Sequence, residues 1–477
     1  MGWAVRGGII VCLAAGSGAA MGADHPCPTD LAEPFGVVNF FDLAAYLQSH
    51  VAGLPSADIA APWGTINYFD LAAYLGAFTT GCGTDTDSDG IPDWAETDDG
   101  VFRNAFATGT DPTNPDTDGD GLGDGDEVFG TPGGLDLPGL GADPLRKDIF
   151  VECDWFAGEF EGVFRDFRPR PAAVDRVVQA FADAPVENPY AGPAGISIHI
   201  DYGQGGAFTG GQLIPGNPLF ISFPGDFQQY KSAYFTPERL GYFHYALFAN
   251  RYNAPDNRSS GVAEIVGDDF MVTLLDYVSS FNQSQTLMHE LGHNLGLRHG
   301  GFENRNYKPN YNSVMNYRHQ FPGVDTDGNT WGNGALDFSW GVNNPLDEAA
   351  LFEPLGVLGE PVDFNLDGVI QALPYARNIN CPTGTSPCGD GSVCWDSQCV
   401  LLLDHDDWSA IAWHRLGRRR ARPRRDHRVR QRAPRPPRAR RRAADKRAHR
   451  ISAISPSPGP TDPPTRSGRG RPRSAKD

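Results

Sequence analysis

Apolar residues return at helical spacing in two short windows near the start of the chain, "NFFDLAAYL" (39–47) and "NYFDLAAYL" (67–75). In the first, Phe41, Ala44, Ala45 and Leu47 share a face, so both windows predict short amphipathic helices. The pattern then stops, and residues 84–145 are dominated by aspartate and glycine. From about Arg146 it resumes in a different form. "KDIFVECDWF" (147–156), "GISIHIDYG" (195–203), "YFHYALFANRY" (242–252) and "DDFMVTLL" (268–275) read as strands. "AAVDRVVQAFADA" (172–184) has apolar residues at helical spacing, and "SSFNQSQTLMHELGHNLG" (279–296) reads as a helix ending at a glycine. This order predicts an α/β (α+β) domain whose mixed sheet leads into a helix.

The two helical windows belong to an internal repeat that starts at Asp30 and again at Asp58. It resembles the paired repeats of dockerin-like modules, a family whose loops bind calcium. Asp30, Asn39 and Asp42 match ligand positions of that family, as do Asp58, Asn67 and Asp70. "AEPF" and "AAPW" replace the middle ligands, so the expectation is a small helical pair packed through its aromatics.

The acidic stretch has its own logic. "DTDSDGIPDWAE" (85–96) and "DTDGDGLGDGDE" (116–127) both fit D-x-D-x-D-G-x5-E. Calcium takes six to eight hard oxygens, and alternate carboxylates on a tight loop converge on one point. The first loop offers Asp85, Asp87, Asp89, the Ile91 carbonyl, Asp93 and Glu96. The second offers Asp116, Asp118, Asp120, the Leu122 carbonyl, Asp124 and Glu127. The stretch resembles thrombospondin type 3 calcium repeats, which implies a structural Ca²⁺ role. "DFNLDGVI" (363–370) begins in the same way but has Pro374 at the closing position.

Charge and cysteine usage add the compartment. Residues 415–477 hold 23 of the 40 Lys and Arg but 4 of the 59 Asp and Glu, so the body carries a formal −38 and the tail +19. The tail reads as a disordered basic segment, possible as the product of a frameshift, and the acidic body argues against a nucleic-acid partner. Arg6, the apolar "GGIIVCLAAG" and the small residues after it read as a signal peptide over residues 1–23. No other apolar run reaches spanning length. A secreted or cell-surface chain permits disulfides. The simplest arrangement is one bridge between Cys27 and Cys82 and two among Cys381, Cys388, Cys394 and Cys399, leaving Cys153 as a buried thiol.

The chemistry sits in "HELGHNLGLRHG" (289–300). Helical residues four apart share a face, so His289 and His293 can aim at one ion, with Glu290 beside it. A catalytic zinc needs three protein ligands and an open position. His299 lies too far along a straight helix, but Gly296 can end the helix in a left-handed turn and bring His299 back. The string H-E-x-x-H-x-x-G-x-x-H resembles the metzincin zinc signature, and "YNSVMNY" (311–317) matches that clan's methionine turn. The resemblance implies Zn²⁺ ligation by His289, His293 and His299, Glu290 as general base, and Met315 as the floor of the site. Tyr317 matches the tyrosine that astacins and serralysins hold near zinc. Gly300 departs from the residue each metzincin family prefers there, so the clan alone is assigned. The clan binds extended substrate along an edge strand, for which "SSGVAEI" (259–265) is the candidate.

The expected function is a secreted zinc endopeptidase. The alternative is a non-catalytic, calcium-dependent surface or adhesion protein carrying a decayed protease fold. Expected partners are a protein or peptide substrate and a surface anchor for the repeats, with the chain itself a monomer. The expected domains are a signal peptide (1–23), the repeat pair (24–83), the calcium segment (84–145), the peptidase (146–380), a Cys-rich segment (381–414) and the tail (415–477).

Overall fold

A computed structural model describes residues 28–29, 31–32, 38, 40–60, 64–80, 83–328, 330–357, 359–390 and 393–413. The expected signal peptide, the Cys27–Cys82 bridge and the basic tail lie outside these residues. The chain groups into two compact units: the part up to Asp118 together with Leu122–Leu145, and Gly119–Gly121 together with the part from Arg146 onward.

In the first unit the repeat folds as α1 (Phe40–Ala52) and α2 (Tyr68–Thr80). Their pairing follows the repeat symmetry. The rings of Tyr46 and Tyr74 stack with centroids 3.9 Å apart. The Tyr46 hydroxyl donates to the Ala57 carbonyl, and the Tyr74 hydroxyl donates to the Thr29 carbonyl. Each tyrosine thus ties down the same position of the other repeat. Asp42 and Asp70, which match ligand positions of the dockerin-like family, accept backbone amides at the helix starts. Asp42 takes the Ala32 amide, and Asp70 takes those of Ile59, Ala60 and Asn67. Burial works to raise the Asp70 pKa, but these amides outweigh it and hold the carboxyl below its ordinary range. The acidic segment belongs to the same unit. It contains α3 (Asp124–Phe129) and α4 (Leu137–Leu140) and has a core of Ile91, Ala95 and Phe129.

The second unit is built on a mixed sheet. In chain order its strands are β1 (Asp148–Trp155), a hairpin of β2 (Ala157–Phe160) and β3 (Val163–Asp166), β4 (Ser197–Asp201), β5 (Phe243–Phe248), β6 (Gly261–Ala263) and β7 (Asp269–Val272). The main sheet runs β4-β1-β5-β7-β6, parallel except for β6, which pairs antiparallel with β7 at one edge. Three helices, α5 (Pro171–Ala182), α6 (Gly225–Tyr234) and α7 (Ser280–Asn294), complete its layers. Successive strand residues face opposite sides. Accordingly His244 meets Asn294 of α7, while Tyr245 packs on Phe227 of α6. The sequence reading located every strand of the main sheet, along with α5 and α7. It gave no expectation for α6 or for the β2–β3 hairpin.

α7 is buried from Asn282 to Asn294, although nine of those thirteen residues are polar. Buried polar groups need partners. Ser279 caps the helix by accepting the Asn282 amide. Gln283 accepts the Arg170 amide and donates to the Phe167 and Arg168 carbonyls. Asn294 donates to the carbonyls of Glu264 and Asp269, which fastens the helix end to the β6–β7 turn.

A short helix, α8 (Tyr317–Gln320), follows the methionine turn. The described residues of the Cys-rich segment (381–414) fall in this unit. β8 (Leu346–Asp347) pairs with β9 (Leu401–Leu402), and Leu402 is buried in a cluster with Leu346 and Leu351. In α9 (Asp407–Ala410), Trp408 packs edge-on against Phe181 and Phe338. Disulfides join Cys381 to Cys394 and Cys388 to Cys399, and Cys153 is a buried free thiol.

Candidate metal centre

The end of α7 decides the site. Gly296 has φ +98°, a backbone conformation in which a side chain is strained. Around it the Gly296 amide donates to the His293 carbonyl and the Leu297 amide to the Gly292 carbonyl, the two bonds of a Schellman cap. The chain then turns back, and the Arg298 amide bonds the Gly301 carbonyl. His289, His293 and His299 end with one ring nitrogen each within 4.8 Å of the others. Their ring centroids are 4.8, 4.9 and 5.4 Å apart.

Two of the rings are fixed from behind. His289 Nδ1 donates to the Val314 carbonyl at 2.8 Å, and His293 Nδ1 donates to the Leu297 carbonyl at 2.8 Å. A proton on Nδ1 leaves Nε2 as a bare lone pair, the form that binds a metal. His293 Nε2 and His299 Nε2 are 3.2 Å apart. Two nitrogens on one tetrahedral zinc stand about 3.3 Å apart, given Zn–N distances of about 2.0–2.1 Å. The donor set therefore fits zinc in kind and in spacing. Burial, with repulsion from the other two rings, holds the His289 pKa well below its ordinary value. Burial lowers His293 to about 4, and burial with the neighbouring His293 lowers His299 to about 3. All three are neutral at neutral pH.

Glu290 lies between α7 and the edge strand. A Cβ at Gly261 of β6 would collide with its carboxylate and with the Met271 carbonyl, so the carboxylate rests directly on strand backbone. Burial pushes its pKa well above the carboxylate range. Beneath the helix Met315 is fully buried. A Cβ at Gly292 would strike its sulfur and stand 3.0 Å from the Phe338 ring. Tyr317 is half-buried, with its ring 4.3 Å from His299 and 5.8 Å from His289. Burial, then the charge of Glu290, raises its pKa, so it keeps its proton as a donor.

The methionine turn hangs on two asparagines absent from the sequence reading. Asn316 accepts the Tyr307 and Arg318 amides and donates to the Lys308 and Tyr311 carbonyls. Asn306 accepts the Tyr317 amide. Both flank aromatic residues of the turn, the one signal that could have drawn notice. The C-terminal segment also reaches the third-ligand loop: the Lys308 ammonium donates to the carbonyls of Gly300 and Leu403.

In the acidic loops, Asp85, Asp87 and Asp89 each bring an oxygen within 4.8 Å of the others. Ile91 is wholly buried in the core below. Asp93 turns to another task. Its Oδ2 accepts the hydroxyls of Thr84 and Thr86, and its Oδ1 the Thr86 amide. Asp124 staples Thr117 in the same manner. It also joins Asp89 and Glu96 of the first loop in a second group of oxygens within 4.8 Å. Asp116 and Asp118 belong to the first unit, as do the buried Leu122 and Glu127. Asp120 goes with the second unit and accepts the Asp148 amide at the start of β1.

No family model matches the chain, and no curated protein matches it. Among solved structures it is similar to archaemetzincin from Methanopyrus kandleri, at 14% identity over 36% of this chain and 81% of that one, with a TM-score of 0.18. A likeness that loose carries no argument. The case for a metal centre rests on the three imidazoles.

Proposed function

We propose that the chain is a secreted zinc-dependent endopeptidase. The observation that carries this reading is the convergence of three neutral imidazoles, two with Nδ1 held by backbone carbonyls, beside a buried glutamate. His289, His293 and His299 would hold the ion. Zinc bound there supplies a Lewis acid that acidifies water and polarises a carbonyl.

The chain's own residues do the rest. Peptide substrate adds as a strand to β6, using main-chain bonds for orientation. Glu290 takes a proton from the attacking water and passes it to the leaving amine. Tyr317 donates a hydrogen bond to the oxyanion as it forms. The acidic segment binds structural calcium, and the repeat pair serves as a surface anchor. Its exposed Phe40, Phe41, Tyr68 and Phe69 at equivalent helix starts favour contact with a partner.

The test is metal analysis of the purified chain with casein or peptide-library cleavage. One zinc per chain is expected, with cleavage abolished by a zinc chelator. Equal cleavage by the native chain and Glu290→Ala would remove the enzyme reading.

A further inference from the structure

The linear motif gives each acidic loop its own ligands. The side chains are arranged otherwise. Asp93 has spent both lone pairs of Oδ2 on the Thr84 and Thr86 hydroxyls. In its place stands an acid from the other loop: Asp124, fully buried, whose carboxylate lies with those of Asp89 and Glu96. The loops are also joined through backbone, since the Gly125 amide donates to Asp89 Oδ2 at 3.1 Å.

An independent feature points to a cation. Glu96 is 4% exposed, and only its Oε1 is bonded, by the Thr110 hydroxyl. Its Oε2 is buried with no hydrogen-bond partner. A buried carboxylate oxygen left bare among other carboxylates is costly unless a cation meets it.

We propose that the first loop binds a calcium ion through a composite set in which Asp124 of the second loop fills the place the motif gives to Asp93. Asp85, Asp87, Asp89, the Ile91 carbonyl and Glu96 complete the six to eight oxygens that calcium takes. This rests on the structural calcium role proposed above and changes its meaning. The ion clasps two loops together, so losing it opens the segment as a whole and not one turn of it.

The test is calcium titration of the full chain by calorimetry, in a background of Asp116→Asn with Asp118→Asn that disables the second loop. There Asp124→Asn is expected to weaken the remaining site at least about tenfold, as Glu96→Gln does, because ligand charge sets affinity. Asp93→Asn weakens the Thr84 and Thr86 bonds, Thr117→Val removes the hydroxyl bonds to Asp124 and from the Asp111 amide, and both should leave that site within about threefold. A site weakened by Asp93→Asn and indifferent to Asp124→Asn overturns the composite set. Loss of binding with Thr117→Val equal to that with Asp124→Asn reduces Asp124 to a staple and overturns it too. A native chain that takes up no calcium defeats the calcium role itself, a failure visible before any variant is made.

Discussion

The histidine cluster and the acidic loops hold their donor atoms by opposite means. The imidazoles are neutral, and those of His289 and His293 are pinned from behind, at the end of a helix buried against a sheet. No like charges face one another there when no ion is present. The carboxylates of Asp89, Glu96 and Asp124 are brought together against their own repulsion. Burial, with neighbouring carboxylates, raises them to about 7, 8 and 7. A site of neutral, scaffolded ligands is preformed, whereas a site of converging charges needs its ion to be stable.

The sharpest test separates chemistry from binding within the preformed site. Glu290→Gln should lower peptide hydrolysis by about 10²–10⁴-fold, the usual worth of a positioned general base, while zinc content stays at the native level. Zinc lost along with the activity would mean that the glutamate shapes the site and does not act in it.

Metal removal probes the comparison directly. A zinc chelator should abolish cleavage and leave the second unit resistant to limited proteolysis, because the His289 and His293 rings are held by backbone carbonyls and the chain to His299 is turned by a Schellman cap. A calcium chelator should open residues 83–145 to limited proteolysis, read by mass spectrometry of the fragments. If both chelators opened their own regions equally, the histidine site would be no more preformed than the loops.

How far each region was legible in the sequence follows from the same contrast. The three histidines and Gly296 fall within eleven positions. Local helix geometry and one left-handed turn therefore decide where they point. The first three aspartates of the loop are equally local. What closes the loop is not, because Asp93 and Asp124 have the same motif position and differ in what the fold brings near them. The supports of the histidine site were hidden for a like reason. Val314 contributes a backbone carbonyl, which every residue type carries, and Gly261 shows in the sequence as a glycine but not as the one that faces Glu290. α6 was simply missed, since Phe227, Tyr230 and Tyr234 stand at helical spacing.

Gly261 offers a subtler probe of preorganisation. Gly261→Ala should push the Glu290 carboxylate off the edge strand and cut cleavage by about 10²-fold, the cost of a misplacement of about 1 Å, with zinc retained. Val262→Ala, next along β6, should change little. Equal losses from the two would assign the effect to the strand and not to the base.

The smallest expected effect is the most diagnostic, because it isolates the repulsion among the loop carboxylates. In chelator, the folded loops hold protons that the unfolded chain releases at about pH 4, where free carboxylates titrate. Between there and about pH 7–8 the folded state binds more protons, so the first unit loses stability as pH rises through that window. The histidines run the other way. Their folded values of about 4 and 3 lie below the unfolded value of about 6.5, so their contribution is lost as pH falls from about 6.5, while Glu152 and Asp407 of the same unit, raised by burial to about 8 and 7, act in the opposite sense. Thermal proteolysis of the metal-free chain from pH 5 to 8, with fragments assigned to each unit, should show this alkaline loss in the first unit. Saturating calcium keeps the loop carboxylates ionised and should abolish the alkaline loss in the first unit alone. An alkaline loss that calcium does not correct would mean that repulsion among the loop carboxylates is not its cause.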